Sequence, residues 1–205
     1  MNAYRVVEDF EAALSEYTGA PYVVTTNSCT MALLLAVSFN VKLRSYKQWL
    51  EHNIPAIEIP RRTYASVPMA IMHAGARPIF GVGSWSGAYQ LLPLPVWDSA
   101  RRFTSGMFMP GQFQCVSFQT SKILGLEQGG AILHDSDEAD DWLRRARYDG
   151  RLNAEEKLPK QIGWHCYMNP STAALGLQRL ACLPKDNPDQ CGGEAFADLS
   201  NLGIW

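Results

Sequence analysis

Short apolar strands alternate with helices along the first half of the chain. Strands are predicted at Tyr22–Thr25, Ala56–Ile59 and Pro78–Phe80, and helices at Val6–Tyr17, Met31–Phe39, Ser45–Asn53 and Val67–Ala74. Repeated strand–helix units predict an α/β fold with a mostly parallel central sheet that helices cover on both faces. Ligands bind at the carboxyl ends of the strands in such a sheet, so we expect functional residues in the loops that follow the strands.

The second half of the chain continues this pattern after a longer connection. Further strands are predicted at Pro95–Asp98, Val116–Phe118 and Ala131–His134, and further helices at Asp137–Tyr148 and from Pro170 onward. Ser136 and Asn169 precede these helices and are expected to cap them. The stretch Gly81–Leu94 is rich in Gly, Ser and Pro and predicts a loop. A chain of 205 residues is long enough for one domain with a substantial core.

The composition argues against several classes of protein. The net charge is only −2, which provides no global field to attract nucleic acid or a membrane surface. The five cysteines show no CxxC spacing and the four histidines are scattered, so no zinc site is expected. An odd number of cysteines without a disulfide framework favours a reducing compartment. Early charges at Arg5, Glu8 and Asp9 do not fit a signal peptide, and no apolar run reaches transmembrane length. We expect a soluble, cytoplasmic protein.

One lysine stands out in the segment Val116–Gly130, which reads VSFQTSKILGLEQGG. Lys122 follows a short apolar strand, and no other charge occurs between Arg102 and this lysine. Apolar surroundings disfavour the ammonium form and lower the pKa of a lysine, which is the state that a Schiff-base lysine requires. Taken alone, the segment favours an exposed loop lysine, since most lysines are exposed.

Three other features fall at the carboxyl ends of predicted strands. The turn Ser28-Cys29-Thr30 lies between a strand and a helix, where free backbone N–H groups can bind an anion, although ordinary capping by Ser28 or Thr30 gives the same pattern. Asp98 ends a strand and could instead form an Asx turn or a helix cap. Tyr64 lies in the loop after another strand. We expect these residues to meet at one edge of the sheet.

Six segments in order carry a family resemblance: FEAALSEYTGAPYVVTTNSCTMALLLA, IPRRTYASVPMAIMHAGARPIF, VWDSA, SFQTSK, QGGAI and GWHCYMNPSTAALGLQRL. Between Val7 and Leu183 the chain resembles the DegT–DnrJ–StrS family of PLP-dependent sugar aminotransferases, within the fold-type I aspartate aminotransferase superfamily. The resemblance implies a shortened member. It implies a three-layer PLP-binding large domain at residues 1–183, with the small C-terminal domain reduced to a short tail at residues 184–205.

The resemblance also implies roles for individual residues. Its phosphate-binding turn matches Ser28, Cys29 and Thr30, and Ser117 matches a further phosphate contact. Tyr64 takes the position of an aromatic residue against the cofactor ring. Asp98 takes that of the partner of the pyridine nitrogen, and Lys122 that of the Schiff-base lysine. Buried Asp and Lys residues suit this chemistry, because the cofactor accepts electrons only while its ring nitrogen is protonated.

The chain departs from the family pattern at several positions. Arg101 replaces the usual Gln or His after Asp98 and is expected among the cofactor-binding residues, and Gln128 replaces a Glu. His165 replaces the Asn that reaches the phosphate of a neighbouring subunit, and it can still donate to phosphate, so a homodimer with shared active sites is implied. Tyr167 replaces an Arg, which puts the usual contacts of that Arg in doubt. The segment between Phe80 and Pro95 is abbreviated, as if one strand–helix unit were missing.

These features predict an aminotransferase that moves an amino group from glutamate or glutamine to a keto sugar, with a nucleotide-linked sugar expected. Arg61, Arg62, Arg101 and Arg102 lie near strand ends and either bind an anionic acceptor or form a solvated rim. Two alternatives stay open. One is a PLP-binding regulatory or assembly subunit that does not transaminate, and the other is a PLP enzyme of another reaction type, such as a decarboxylase. Retention of both Lys122 and Asp98 favours catalysis.

Overall fold

The computed structural model of the protein describes residues 4–41 and 54–205. The helices are α1 (Arg5–Thr18), α2 (Cys29–Phe39), α3 (Ser66–His73), α4 (Asp137–Arg147) and α5 (Pro170–Ala181), and the strands are β1 (Tyr22–Thr26), β2 (Ala56–Pro60), β3 (Arg77–Gly81), β4 (Tyr89–Gln90), β5 (Val96–Asp98), β6 (Phe113–Ser117) and β7 (Gly130–His134). A short 3₁₀ helix follows at Gly193–Ala195. The helix predicted at Ser45–Asn53 lies outside the described residues.

Local signals in the sequence fix several helix ends. Gly19 ends α1 in the left-handed conformation, at φ 79°, which costs glycine nothing because it has no Cβ. The side chains of Ser28, Ser136 and Asn169 accept backbone N–H bonds at the starts of α2, α4 and α5. The capping predicted at Ser136 and Asn169 is confirmed.

The main sheet has the strand order β1-β7-β6-β5-β4, and only β5 and β6 pair in parallel. The prediction of a mostly parallel sheet is therefore wrong. No helix connects β6 to β7 or β4 to β5, and strands joined by such direct connections pair antiparallel. β2 and β3, which α3 connects, do pair in parallel, but they form a separate two-stranded sheet. The loop predicted at Gly81–Leu94 contains β4.

Helices cover both faces of the main sheet, as expected for a three-layer fold. Neighbouring strand residues point to opposite faces, so Val116 packs with α1 and α5, whereas Cys115 packs with α2 and α4. The first layer buries Phe10 and Leu14 of α1. In the second layer α2 is buried along nearly its whole length.

Two arginines of α4 bind a buried carboxylate of α1. Glu11 of α1 is 5% exposed, and its carboxylate accepts hydrogen bonds from the backbone and hydroxyl of Thr25. Arg144 and Arg147 complete the set of donors to Glu11. Burial alone would raise the pKa of Glu11, but the charges of Arg147 and Arg144 lower it. This network ties α1, β1 and α4 together.

The segment after Leu183 folds back over the strand ends. Gln190 donates its backbone N–H to the carbonyl of Arg101, and Leu199 does the same to Arg61. Trp205 packs its ring against Phe80 with the centroids 5.8 Å apart. The tail therefore covers the edge of the sheet where functional residues are expected.

Candidate active site

A cavity of about 390 Å³ opens where β1, β5 and β6 end. These three strands run in the same direction, because β1 and β6 both pair antiparallel with β7 and β6 pairs in parallel with β5. Their carboxyl ends therefore meet at one edge. Eight residues singled out in the sequence line this cavity: Ser28, Cys29, Thr30, Tyr64, Asp98, Arg101, Ser117 and Lys122.

The start of α2 offers hydrogen-bond donors to the cavity. The Ser28 hydroxyl caps the N–H of Met31 at 3.3 Å, so the capping interpretation of this residue is confirmed. The N–H groups of Cys29 and Thr30 have no partner inside the helix, as at any helix start. Capping and anion binding are thus compatible, because they use different donors. The Thr30 hydroxyl lies 2.7 Å from that of Ser66, which adds another polar group.

Gly129 and Gly130 allow the start of β7 to approach α2. Gly129 has φ +125°, which L side chains rarely adopt. A Cβ on Gly130 would lie 2.5 Å from the backbone nitrogen of Cys29. Any larger residue at position 130 would therefore push β7 away from the cavity.

Asp98 is a buried carboxylate, 4% exposed, with both oxygens engaged. One oxygen accepts the N–H of Ala100 at 2.9 Å, which is the Asx-turn bond, and the other accepts the Tyr89 hydroxyl at 2.8 Å. Burial raises the pKa of Asp98, and these hydrogen bonds and the charges of Lys122 and Arg101 oppose that rise. The site therefore holds an anionic group out of water, next to cations.

Lys122 lies in the turn after β6 and is partly buried. Burial lowers the pKa of this lysine, the charge of Arg101 lowers it further, and Asp98 opposes both effects. In the parts of the chain that the structure describes, Lys122 forms no ion pair. The lowered pKa expected from the sequence is confirmed, and it increases the fraction of neutral, nucleophilic amine.

Aromatic residues that sequence reasoning missed form one wall of the cavity. Trp85 stacks on Phe196 with the centroids 6.0 Å apart, and it meets Tyr89 edge-on at 4.7 Å. Tyr64 contacts Phe196 edge-on but remains 61% exposed. Each of the missed residues stands in a Gly-, Ser- or Asp-rich segment. A large aromatic residue in such a segment needs a packing partner. This feature of the sequence could have identified the missed residues.

His165 lies outside this cavity. Its side chain is 70% exposed, and its Nδ1 lies 2.8 Å from a carboxylate oxygen of Asp149. Its ring also contacts Tyr167, which stands where the family has an Arg. The role predicted for His165 is in the active site of a second copy of the chain. Its position outside the cavity of its own chain does not test that role, which stays a prediction.

Residues 4–41 and 54–205 contain neither a membrane-spanning helix nor a metal-binding cluster. No helix there has the length and apolar character needed to cross a bilayer. No group of three or more His, Cys, Asp or Glu side chains there is placed to hold a metal ion. All five cysteines of the chain are free thiols.

Comparison with protein families gives one match, which covers most of the chain. The sequence profile of the DegT/DnrJ/EryC1/StrS aminotransferase family matches residues 1–84 and 105–189. The profile therefore includes most of the cavity residues but not Trp85, Asp98, Ala100, Arg101 or Phe196. No curated protein matches the chain significantly by sequence.

Solved structures share the fold at low sequence identity. NtdA from Bacillus subtilis, with bound cofactor PMP, matches with a TM-score of 0.65 and 19% identity, over 85% of this chain and 47% of that one. The sugar aminotransferase CalS13 from Micromonospora echinospora matches with a TM-score of 0.67 and 18% identity, over 86% and 60%. AtS13 from Actinomadura melliaura gives a TM-score of 0.70 and 20% identity, over 87% and 60%. The chain thus spans about half to three fifths of the length of these structures.

Proposed function

Because the chain belongs to the DegT/DnrJ/EryC1/StrS aminotransferase family, we propose that it binds pyridoxal 5′-phosphate and acts as a PLP-dependent aminotransferase. The observation that carries this proposal is the meeting of Lys122, Asp98 and the start of α2 around one cavity. A lysine of lowered pKa, a buried carboxylate and free backbone donors are the three kinds of group that this cofactor requires.

The donors of the cavity fit a phosphorylated ligand. The N–H groups at the start of α2 and the hydroxyls of Thr30, Ser66 and Ser117 can hold the phosphate. A phosphate would supply acceptors for these donors, which is why we regard the cofactor as compatible with the residues present.

The residues divide the chemical work between them. When bound, pyridoxal 5′-phosphate supplies an aldehyde for amines and an electron sink for the carbanion that forms at a substrate carbon. Asp98 holds a proton at the ring nitrogen, because a buried carboxylate is stabilised by a neighbouring cation. The Nζ of Lys122 accepts a proton from the substrate α-carbon and returns it, since its lowered pKa increases the fraction of neutral amine. The aromatic wall of Trp85 and Phe196 excludes water from these transfers.

We propose a keto sugar, linked to a nucleotide, as acceptor and glutamate or glutamine as amino donor. The sugar aminotransferase from Micromonospora echinospora, which shares this fold, supports the acceptor class. We also propose a homodimer in which His165 of one chain reaches the site of the other, since His165 is exposed at the surface. Free thiols at all five cysteines support a cytoplasmic location.

Covalent trapping tests the proposal. The protein is incubated with PLP, reduced with borohydride and digested, and we expect one modified peptide, with the cofactor on Lys122. Lys122→Ala should abolish this adduct, whereas Lys160→Ala, which removes an exposed lysine paired with Glu156, should leave it unchanged. An adduct on a different lysine would contradict the assignment.

Addition of glutamate and of glutamine to the loaded, unreduced protein tests transamination. The absorption of the bound cofactor should change as the amino group is transferred. A protein that is labelled at Lys122 but responds to neither donor would instead be a relative that binds the cofactor without transaminating.

A further inference from the structure

Four arginines lie near the strand ends, and they differ in the partners of their side chains. Arg102 forms an ion pair with Asp189 at 2.6 Å, and Arg61 forms one with Asp198 at 3.4 Å. Arg62 donates to the backbone carbonyl of Phe196 at 3.0 Å. These three arginines hold the tail against the strand ends, so their charges already have partners.

Arg101 differs from the other three in its surroundings. It lines the cavity, and within the described parts of the chain its side chain forms no ion pair and no hydrogen bond. Its Nε is fully buried, and its guanidinium carbon lies 4.9 Å from the centroid of the Phe196 ring. The backbone of Arg101 is fixed on both sides, by Gly87 and by Gln190. The Nη groups of Arg101 also have no acceptor among the described residues, and an anionic ligand in the cavity would supply one.

The position of Arg101 limits what that ligand can be. Arg101 lines the same cavity as Lys122 and Asp98, so the guanidinium is close to the groups proposed to carry out the chemistry. In an amino-acid donor the α-carboxylate is one bond away from the reacting carbon. In a nucleotide-linked sugar the diphosphate is several bonds away from the reacting ring carbon. Proximity to the reacting groups therefore favours a carboxylate.

We propose that Arg101 binds the α-carboxylate of the amino-acid donor. This inference rests on the proposed aminotransferase function and adds a residue for substrate recognition. The two Nη groups of the planar guanidinium are parallel donors, and their spacing matches the two oxygens of a carboxylate. The Phe196 ring lies 4.9 Å from the guanidinium carbon, and this cation–π contact helps to orient the donors.

Binding of unreactive ligands to the PLP-loaded protein tests the inference by calorimetry. Glutarate carries carboxylates but no amine, glutaramide has the same skeleton without charge, and uridine diphosphate represents the acceptor phosphates. For Arg101→Gln we expect glutarate binding to weaken by about 10-fold to 100-fold, the range for a lost charged hydrogen bond. Arg101→Lys should restore part of the affinity, because it keeps the charge without the planar pair of donors.

Controls isolate the effect at Arg101. Arg77→Gln makes the same change at an exposed arginine of β3 and should leave glutarate binding unchanged. Glutaramide should not bind to any of the proteins, and uridine diphosphate should bind equally to wild type and Arg101→Gln. In kinetics, Arg101→Gln should raise KM for the donor and leave KM for the acceptor unchanged.

Several outcomes would overturn the inference. These are unchanged glutarate binding in Arg101→Gln, a loss of uridine diphosphate binding as large as or larger than that of glutarate, and failure of the loaded wild type to bind glutarate. Failure of the protein to take up PLP at Lys122 would contradict the proposed function itself. The two failures are therefore distinguishable, because glutarate binding is measured on protein already loaded.

Discussion

The Tyr89 hydroxyl donates a 2.8 Å hydrogen bond to Oδ2 of Asp98, and the two residues lie directly opposite each other in β4 and β5. The hydroxyl of Thr63 contacts that of Tyr89 in turn. Since the N–H of Ala100 binds the other Asp98 oxygen, both oxygens are held by protein donors. These donors favour the ionised carboxylate in a place where burial disfavours it.

We predict that Tyr89→Phe raises the pKa of Asp98 further, because it removes a donor to the charged form. Asp98 then becomes protonated at a higher pH, so the acid limb of the pH–rate profile should move to higher pH and turnover should fall about tenfold. Tyr22→Phe serves as control, since its hydroxyl binds Asp137 away from the cavity. An acid limb unchanged from wild type would exclude Tyr89 from this role.

Asp98→Asn tests the carboxylate directly. The amide keeps the shape of the side chain but cannot stabilise a proton on the cofactor ring. We expect turnover to fall about a hundredfold or more, on the order of 3 kcal/mol in the barrier. Labelling of Lys122 by borohydride should persist, because the groups that hold the phosphate are unaltered. Normal turnover in this variant would remove Asp98 from the mechanism.

Most of the site residues could be predicted from the sequence, because the strand ends were recognisable and three of those strands share one direction. The sequence was not sufficient to predict how the strands pair. The connection from β6 to β7 contains Gly125 and Gly129 and no helix, and this returns the chain antiparallel beside its neighbour. Strand–helix alternation predicts parallel pairing only where a helix connects the two paired strands.

The residues that sequence reasoning missed act through tertiary contacts. Tyr89 reaches Asp98 only because β4 pairs with β5, and Phe196 reaches Arg101 only because the tail folds back. Neither contact leaves a periodic pattern or a motif in the sequence. The position of Arg101 after Asp98 is visible in the sequence. Which arginines have a protein partner depends on the folded tail, which forms ion pairs with Arg61 and Arg102.

Glu11→Gln should destabilise the fold. The amide cannot balance Arg144 and Arg147, so two arginines with little exposure lose their shared anion. We expect the free energy of unfolding to fall by about 3 kcal/mol, as is common when one partner of a buried ion pair is removed. Urea denaturation measures this change. Glu8→Gln alters an exposed carboxylate of the same helix and should cost less than about 0.5 kcal/mol; equal losses would refute the buried network.

His134 should make the fold sensitive to acid. Its ring is stacked between Tyr22 and Phe113, and burial lowers its pKa from 6.5 to about 4, against the opposing charge of Asp140. The unfolded chain therefore binds a proton at higher pH than the folded one. Stability should decline as the pH falls below about 6.5, and the loss should reach about 3 kcal/mol once the pH is below the folded pKa of about 4.

Urea denaturation between pH 7 and pH 4 separates this effect from the titration of carboxylates. His134→Leu should lose less stability across that range than wild type, by about 3 kcal/mol at its lower end. His73→Leu removes an exposed histidine of α3 and should follow the wild-type curve. Parallel curves for wild type and His134→Leu would show that His134 does not titrate in this way.

The proposed homodimer predicts that active sites are shared between chains. His165 is exposed and lies outside its own cavity, and the neighbouring Tyr167 packs with Tyr148 and Tyr4 in an aromatic cluster near the surface. Aromatic residues of this kind are enriched at interfaces between subunits. The same residues could instead serve only to pack α1 against α4 within one chain, so the two interpretations need an experiment that distinguishes them.

Complementation between two inactive variants provides it. Lys122→Ala and His165→Ala are each expected to be inactive alone, and they are then unfolded together and refolded as an equal mixture. Random pairing makes about half of the dimers mixed, and each mixed dimer holds one site with Lys122 from one chain and His165 from the other, so roughly a quarter of wild-type activity should return. Each variant refolded alone gives the baseline, and refolded wild type gives the yield. If each site were built within one chain, every site in the mixture would keep a defect, and no activity would return.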